Sequence, residues 1–137
     1  MESRRSLPVL TPLNTFFWTA GHRGALEILR CRSCKHWLHP PAPICPECLG
    51  RDLAPTPISG YGTVEAVTIN HYPWTGAVPV PYAIVLVSFT DCPNVRLTSR
   101  LITADPDSAR IGMRVRIVFE QDEDVWLPFF ENAEGDV

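Results

Sequence analysis

The chain has 137 residues, 45% hydrophobic and 20% charged, which suits one compact domain, or one small domain plus a metal-stapled appendage, with a soluble globular balance that excludes a disordered chain. No apolar run reaches the ~18 residues that a membrane-spanning helix needs. The net charge of −3 hides an asymmetry: residues 1–60 hold seven Lys/Arg against four Asp/Glu, and residues 61–137 hold five against eleven. A basic front is joined to an acidic back.

Residues 1–25 read as an N-terminal arm followed by a short helix. Pro8 and Pro12 forbid helix in the arm, and Asn14 is placed to cap a helix running to about His22, with Phe16, Phe17 and Ala20 on one side. Gly21 and Gly24 weaken its continuation. Residues 26–52 read as a zinc ribbon: Leu26 to Arg30 alternates like a strand leading into Cys31, and His39 to Pro43 forms a proline-rich hairpin between two cysteine pairs. Pro55 and Pro57 make residues 51–59 an extended linker.

Residues 60–131 change character. Gly62–Asn70, Tyr82–Thr90, Val95–Ile102, Arg114–Gln121 and Val125–Phe130 are β-rich runs separated by turn signals such as Asp91-Cys92-Pro93-Asn94 and Ile111-Gly112. In one of them Val115, Ile117 and Phe119 alternate with Arg114, Arg116 and Glu120, so one face is expected buried and the other wet. Five short strands in this length predict an OB-fold barrel, with a three-plus-two sandwich as the alternative. The fold class is therefore mostly β. The remaining residues, 132–137 with Glu131 at their edge, read as a frayed acidic tail.

Cys31-Arg32-Ser33-Cys34 and Cys45-Pro46-Glu47-Cys48 form a C-x2-C-x10-C-x2-C pattern. A two-residue spacer lets both thiolates of a knuckle meet one point at the ~2.3 Å zinc–sulfur distance, and four protein ligands leave no open position for water or substrate. A structural zinc ion is expected, while an iron site of the same geometry stays open. Two redox pairs are disfavoured because neither lies between a strand and a helix. Arg4-Arg5 hints at a twin-arginine signal, but Pro8, Pro12, Asn14 and His22 interrupt any apolar region behind it, so a cytoplasmic location is expected. A reducing compartment also favours metal over disulfides.

His36 and His39 are expected to be exposed loop residues beside four sufficient cysteines. Cys92 lies in a turn, and His71 is its only candidate base outside the ribbon, so an inert thiol is expected. Asp122, Glu123 and Asp124 read as a solvated hairpin turn. His71-Tyr72-Pro73-Trp74 opens a long aromatic loop that either binds something or packs over a barrel end. Phe16, Phe17 and Trp18 cannot all face inward on one short helix, and with Trp37 of the ribbon hairpin they are expected to contact a partner. No G-x-S-x-G, P-loop, dinucleotide fingerprint or HExxH is present.

An ordered series of motifs carries a family resemblance over nearly the whole chain. It runs from Phe17-Trp18 through Leu29-Arg30-Cys31-Arg32-Ser33-Cys34, Pro40-Pro41 and Cys45-Pro46-Glu47-Cys48 to Ser59-Gly60-Tyr61-Gly62-Thr63-Val64. It continues with Pro81-Tyr82-Ala83, Arg110-Ile111-Gly112-Met113, Val118-Phe119-Glu120 and Leu127-Pro128. The chain resembles the zinc-ribbon/OB-fold proteins encoded beside thiolase-like enzymes, formerly a domain of unknown function. That resemblance implies a non-catalytic accessory subunit for a thiolase-like or lipid-transfer-protein-like enzyme, with acyl-CoA near the interface and the reacting groups on the partner. The competing class is a single-stranded nucleic-acid-binding OB-fold protein, which the acidic barrel half disfavours.

Overall fold

The computed structural model describes residues 5–135. The N-terminal arm leads into α1 (Thr15–Thr19), which tightens into a 3-10 turn at Ala20–Arg23 and stops at Gly24. Gly24 adopts φ 71°, the left-handed conformation that favours glycine, and its N–H returns to Ala20 and Gly21 carbonyls. The expected helix is thus two short pieces. Asn14 precedes α1, but its side chain does not cap it; Oδ1 accepts from the Thr11 N–H and Nδ2 donates to the Val9 carbonyl.

Eight strands follow. β1 (Leu26–Cys31), β2 (Trp37–Leu38) and β3 (Leu53–Ile58) form a three-stranded antiparallel sheet in the order β2-β1-β3. The segment expected as a linker is therefore an edge strand of the ribbon's own sheet. Pro55 and Pro57 pair opposite Leu29 and Glu27, and proline is tolerated there because an edge strand needs donors on one side only.

β4 (Tyr61–Asn70), β5 (Tyr82–Phe89), β6 (Arg96–Leu101), β7 (Arg114–Asp122) and β8 (Val125–Asn132) close into a barrel in the order β4-β5-β6-β8-β7. This is the five-stranded Greek-key barrel of the OB-fold, and the sandwich alternative is excluded. The expected strands match to within a few residues at each end. β4 bends at a bulge between Val64 and Ala66, which lets it pair with β5 along its length and with β7 at Tyr61–Thr63. Of the side chains expected to alternate on β7, Val115 is buried while Ile117 and Phe119 are half-buried against the core.

One core unites all three parts. Ala83, Val85, Val87 and Phe89 point inward from β5 and meet Val64, Met113, Val115 and Phe130. Phe17, Leu26, Ile28 and Trp37 belong to the same cluster, so the front helix and ribbon sheet share the barrel's interior. Each Val, Leu, Ile, Phe or Met among them contributes about 1.5–3 kcal/mol on full burial. Gly21 sits against Phe119 and Trp126, where an added Cβ would come within 2.6 Å of each; a residue expected only to weaken a helix is what lets the front piece seat on the barrel.

The C-terminal segment is more ordered than expected. β8 extends to Asn132, Ala133 is buried with its N–H on the Arg114 carbonyl, and Glu134 pairs with Arg110. Glu131 likewise pairs with Arg116 across the β7–β8 ladder. Residues 136–137 of the expected tail lie outside the described residues, as do residues 1–4 of the arm.

Candidate metal centre

The two cysteine pairs fold as matching knuckles. In the first, the Cys31 carbonyl accepts from Lys35 N–H and the Cys31 N–H donates to His36. In the second, the Cys45 carbonyl accepts from Leu49 N–H and the Cys45 N–H donates to Gly50. Lys35 and Leu49, each four residues after its leading cysteine, take positive φ of 69° and 62°. Neither is glycine, so the chain holds a strained conformation at equivalent points of both knuckles. Leu49 is 74% exposed there. The sequence reading missed both positions; their only signal is their equal spacing after Cys31 and Cys45.

The four sulfurs lie within 4.8 Å of one another, with Cys31–Cys48 at 3.6 Å and Cys34–Cys45 at 3.5 Å. A tetrahedron with zinc–sulfur bonds of ~2.3 Å has edges of about 3.8 Å, so the cysteines fit one zinc ion. Backbone amides of Cys34 and Ser33 lower the Cys31 thiol to about 6 against burial, whereas burial and the neighbouring thiols raise Cys34 and Cys48 despite amide hydrogen bonds, so the four crowded sulfurs share their protons unevenly. Cys31 and Cys45 are buried beside Leu29 and Leu38, while Cys34 and Cys48 face solvent. Among the described residues the cluster contains no histidine. Four thiolates satisfy the metal completely, so its role is structural.

His36 and His39 are half-buried, contrary to the expected exposure. The His39 ring lies 5.0 Å from Phe17 at a tilt of 38°, and burial lowers its pKa. The ribbon hairpin folds back onto the front helix, which is why His39 leaves solvent.

The remaining candidates separate clearly. Cys92 is fully buried, and burial, with the Asp91 carboxylate adding, pushes its thiol up to about 11. The charges acting on it are Asp91 and Arg30, with no histidine among them. A thiol so placed is a poor nucleophile. At pH 8 it carries about 100-fold less thiolate than an ordinary cysteine. Mass-spectrometric mapping of iodoacetamide labelling on the folded, zinc-loaded protein is therefore expected to leave Cys92 last to react. The raised pKa also means the unfolded chain releases this proton first. Stability is expected to fall as pH climbs from about 9 toward 11, and Cys92→Ala is expected to remove that slope.

Phe17 is 5% exposed and Trp37 9%, so both are core residues of this chain rather than surface anchors. The arm wraps back over the barrel instead of projecting. Phe16 and Trp18 are half-buried; Phe16 touches both the main core and the cluster beside the cysteines. Trp18 stacks edge-on against Phe17 at 4.9 Å. Asp122 and Glu120 receive the Arg5 guanidinium at 2.9 and 2.8 Å, so the acidic turn region latches the arm. Tyr72 and Trp74 stand in solvent with rings 4.5 Å apart, tied by Asn70 to the Tyr72 carbonyl and the Trp74 indole N–H. They do not close a barrel end.

The barrel's arginines are largely neutralised: Arg96 pairs with Glu65, Arg110 with Glu134 and Arg116 with Glu131. Among the described residues, no helix is long and apolar enough to cross a membrane.

Comparison with known proteins agrees with this architecture. The ChsH2 rubredoxin-like zinc ribbon domain matches residues 18–54, and the ChsH2 C-terminal OB-fold domain matches residues 55–120. A probable enoyl-CoA hydratase alpha subunit of Thermomonospora curvata is 35% identical over 96% of this chain, which spans only 41% of that relative. A DUF35 domain-containing scaffold protein of Methanothermobacter thermautotrophicus is 31% identical over 67% of this chain and 69% of its own length. Among solved structures, a chain of the Ltp2-ChsH2(DUF35) aldolase superposes with a TM-score of 0.84 and 34% identity, over 93% of this chain and 99% of that one. With its ribbon, barrel and four-cysteine centre all matched, this chain belongs to the ChsH2/DUF35 family of zinc-ribbon/OB-fold proteins.

Proposed function

We propose that this chain is a non-catalytic scaffold subunit of a thiolase-like or lipid-transfer-protein-like enzyme that processes acyl-CoA thioesters. The observation that carries this reading is the end-to-end likeness to a chain of the Ltp2-ChsH2(DUF35) aldolase. Relatives named as scaffold proteins and as a subunit of an acyl-CoA enzyme support the same class. The closed tetrathiolate site supports a structural role, since it leaves no position for a reacting atom. The buried, protonated Cys92 supports it again.

In this reading the partner supplies the reacting groups. The ribbon and α1 grip the partner, and the barrel borders the channel that holds the acyl-CoA. Phe16 and Trp18 keep enough exposed surface to contribute to that contact, while Phe17 and Trp37 act by fixing them from beneath. The paired arginines of the barrel weigh against the nucleic-acid alternative.

Co-purification from the native host, with the bound subunit identified by mass spectrometry, tests the reading directly. A thiolase-like partner in stoichiometric amount is expected, and a partner of unrelated class would overturn it. In the reconstituted complex Trp18→Ala is expected to weaken association by about 2 kcal/mol with zinc content unchanged. Cys92→Ser is expected to leave turnover nearly intact; a loss of about 100-fold with folding preserved would place chemistry in this chain.

A further inference from the structure

β4 and β5 are paired neighbours in the barrel, and a hairpin between such strands commonly closes in about 2–5 residues. Here the connection runs through residues 71–81, from His71 to Pro81, and holds no lysine, arginine, aspartate or glutamate. Its first limb carries Tyr72 and Trp74, which are 61% and 74% exposed and belong to neither core cluster of the described residues. Their rings lie 4.5 Å apart at a tilt of 50°. Asn70, the last residue of β4, fixes both. Its Nδ2 donates to the Tyr72 carbonyl at 2.8 Å, and its Oδ1 accepts from the Trp74 indole N–H at 3.1 Å. The Trp74 backbone N–H donates to the same Tyr72 carbonyl. The pair is thus held in one arrangement by bonds of its own while adding nothing to the interior. A buried Tyr or Trp removes about 150–250 Å² from water, and in this chain alone that area stays wet.

The second limb decides what can approach. Ala77, Val78 and Pro79 wall a cavity of about 380 Å³ together with Glu120 and Asp122. Pro79, Val80 and Pro81 wall another of about 520 Å³ together with Asp105 and Asp107. Arg5 and Arg100 also reach these cavities, so four carboxylates stand against two guanidinium groups around the base of the loop. Arg5 is committed to Glu120 and Asp122, and among the described residues no ion pair answers Asp105 or Asp107. An uncharged aromatic crest therefore stands on an acidic base. The β4–β5 and β7–β8 connections meet here, at the end where OB-folds commonly take oligonucleotides. A phosphate backbone or an anionic lipid surface is repelled by such a base, whereas a cationic protein rim is attracted.

We propose that this loop seats Tyr72 and Trp74 in an apolar cleft of the partner subunit, with lysine or arginine side chains rimming that cleft opposite Asp105 and Asp107. The inference rests on the reading of this chain as a scaffold subunit. It adds a contact apart from Phe16 and Trp18 and states the chemistry that the partner presents there. Aromatic anchors already fixed by Asn70 lose little freedom on docking, so more of their burial goes into affinity. The carboxylates at the base act on the rate and orientation of approach. Asn70 is a positioning residue, since its amide orders the two rings without lying on the exposed crest itself.

The test isolates the native assembly through a tag on this chain and compares it with the free zinc-loaded chain by hydroxyl-radical footprinting. Tyr72 and Trp74 are expected to lose most of their oxidation in the assembly. In the reconstituted complex the double variant Tyr72→Ser, Trp74→Ser is expected to weaken association about 100-fold. Its melting temperature and zinc content should match the wild type, because both side chains are exposed. Asp107→Lys is expected to weaken association about threefold or more at low salt, with the difference fading as salt is added. Full oxidation of both aromatics in the assembly, or unchanged affinity of the double variant, overturns the inference and leaves the scaffold reading standing. A bound subunit unrelated to acyl-CoA enzymes overturns that reading, while protection of Tyr72 and Trp74 against it still supports the role of the loop. A chain isolated with no bound subunit overturns both. Trp74-dependent binding of the free chain to a single-stranded oligonucleotide or to phosphatidylcholine vesicles would give the loop another occupant and overturn the inference as well.

Discussion

Cys45→Ser is expected to abolish stoichiometric metal binding and unfold the ribbon while the barrel keeps its β-sheet signal. Structural zinc sites of this kind contribute on the order of 10 kcal/mol of apparent binding free energy near neutral pH, and that energy is folding energy. Here the site carries β1, β2 and the hairpin between the knuckles, because both leading cysteines are buried against Leu29 and Leu38. The collapse is not expected to stay local. Leu26, Ile28 and Trp37 sit in the barrel's own core, so the surviving barrel should melt at a lower temperature than in the intact protein. Elemental analysis, circular dichroism and a thermal melt together check the prediction. One zinc per wild-type chain and well under half in the variant are expected; iron in the wild type, or full zinc retention by Cys45→Ser, would refute it.

Gly62→Ala is expected to destabilise the protein by about 3 kcal/mol, the upper end of the usual overpacking range. Gly62 pairs with Phe89 on one side and Val115 on the other, at the point where β4 closes the barrel onto β7. A Cβ at this position would lie 2.4 Å from the Ser88 carbonyl oxygen and 2.5 Å from a Val87 methyl. The first neighbour is backbone, so no rotamer change relieves the contact. The melting temperature should fall by about 10 °C for a chain of this size. Gly24→Ala is the control: that position has φ 71° and open space around it, so backbone strain alone should cost about 1 kcal/mol. Equal melting temperatures for the two variants would show that the packing of β4 on β5 is looser than these distances.

The sequence alone determined the parts whose cause is local. Two C-x2-C pairs ten residues apart specify a metal site because ligand spacing within a knuckle is set by the backbone, and the structure places all four sulfurs together. Alternation specifies strands because the β period is two. β5 shows this most cleanly, with Ala83, Val85, Val87 and Phe89 buried in turn. Five such runs separated by turns were enough for the barrel class. The family likeness, too, was legible in short motifs spread along the chain.

Long-range packing decided the rest. Pro55 and Pro57 read as linker because proline is a poor strand former, yet β1 offered an edge where the missing donors cost nothing. Phe17 read as a surface anchor because three adjacent large apolar residues cannot all face inward on one short helix, and Trp37 because it sits in the ribbon hairpin. The ribbon sheet and α1 share the barrel core, which makes one larger interior with room for both. His39 lost its expected exposure to the same folding-back, and the acidic tail gained order from the Arg110 and Arg116 ion pairs. The order in which the strands close the barrel had no sequence signal at all, because it is fixed only when β8 comes to lie between β6 and β7.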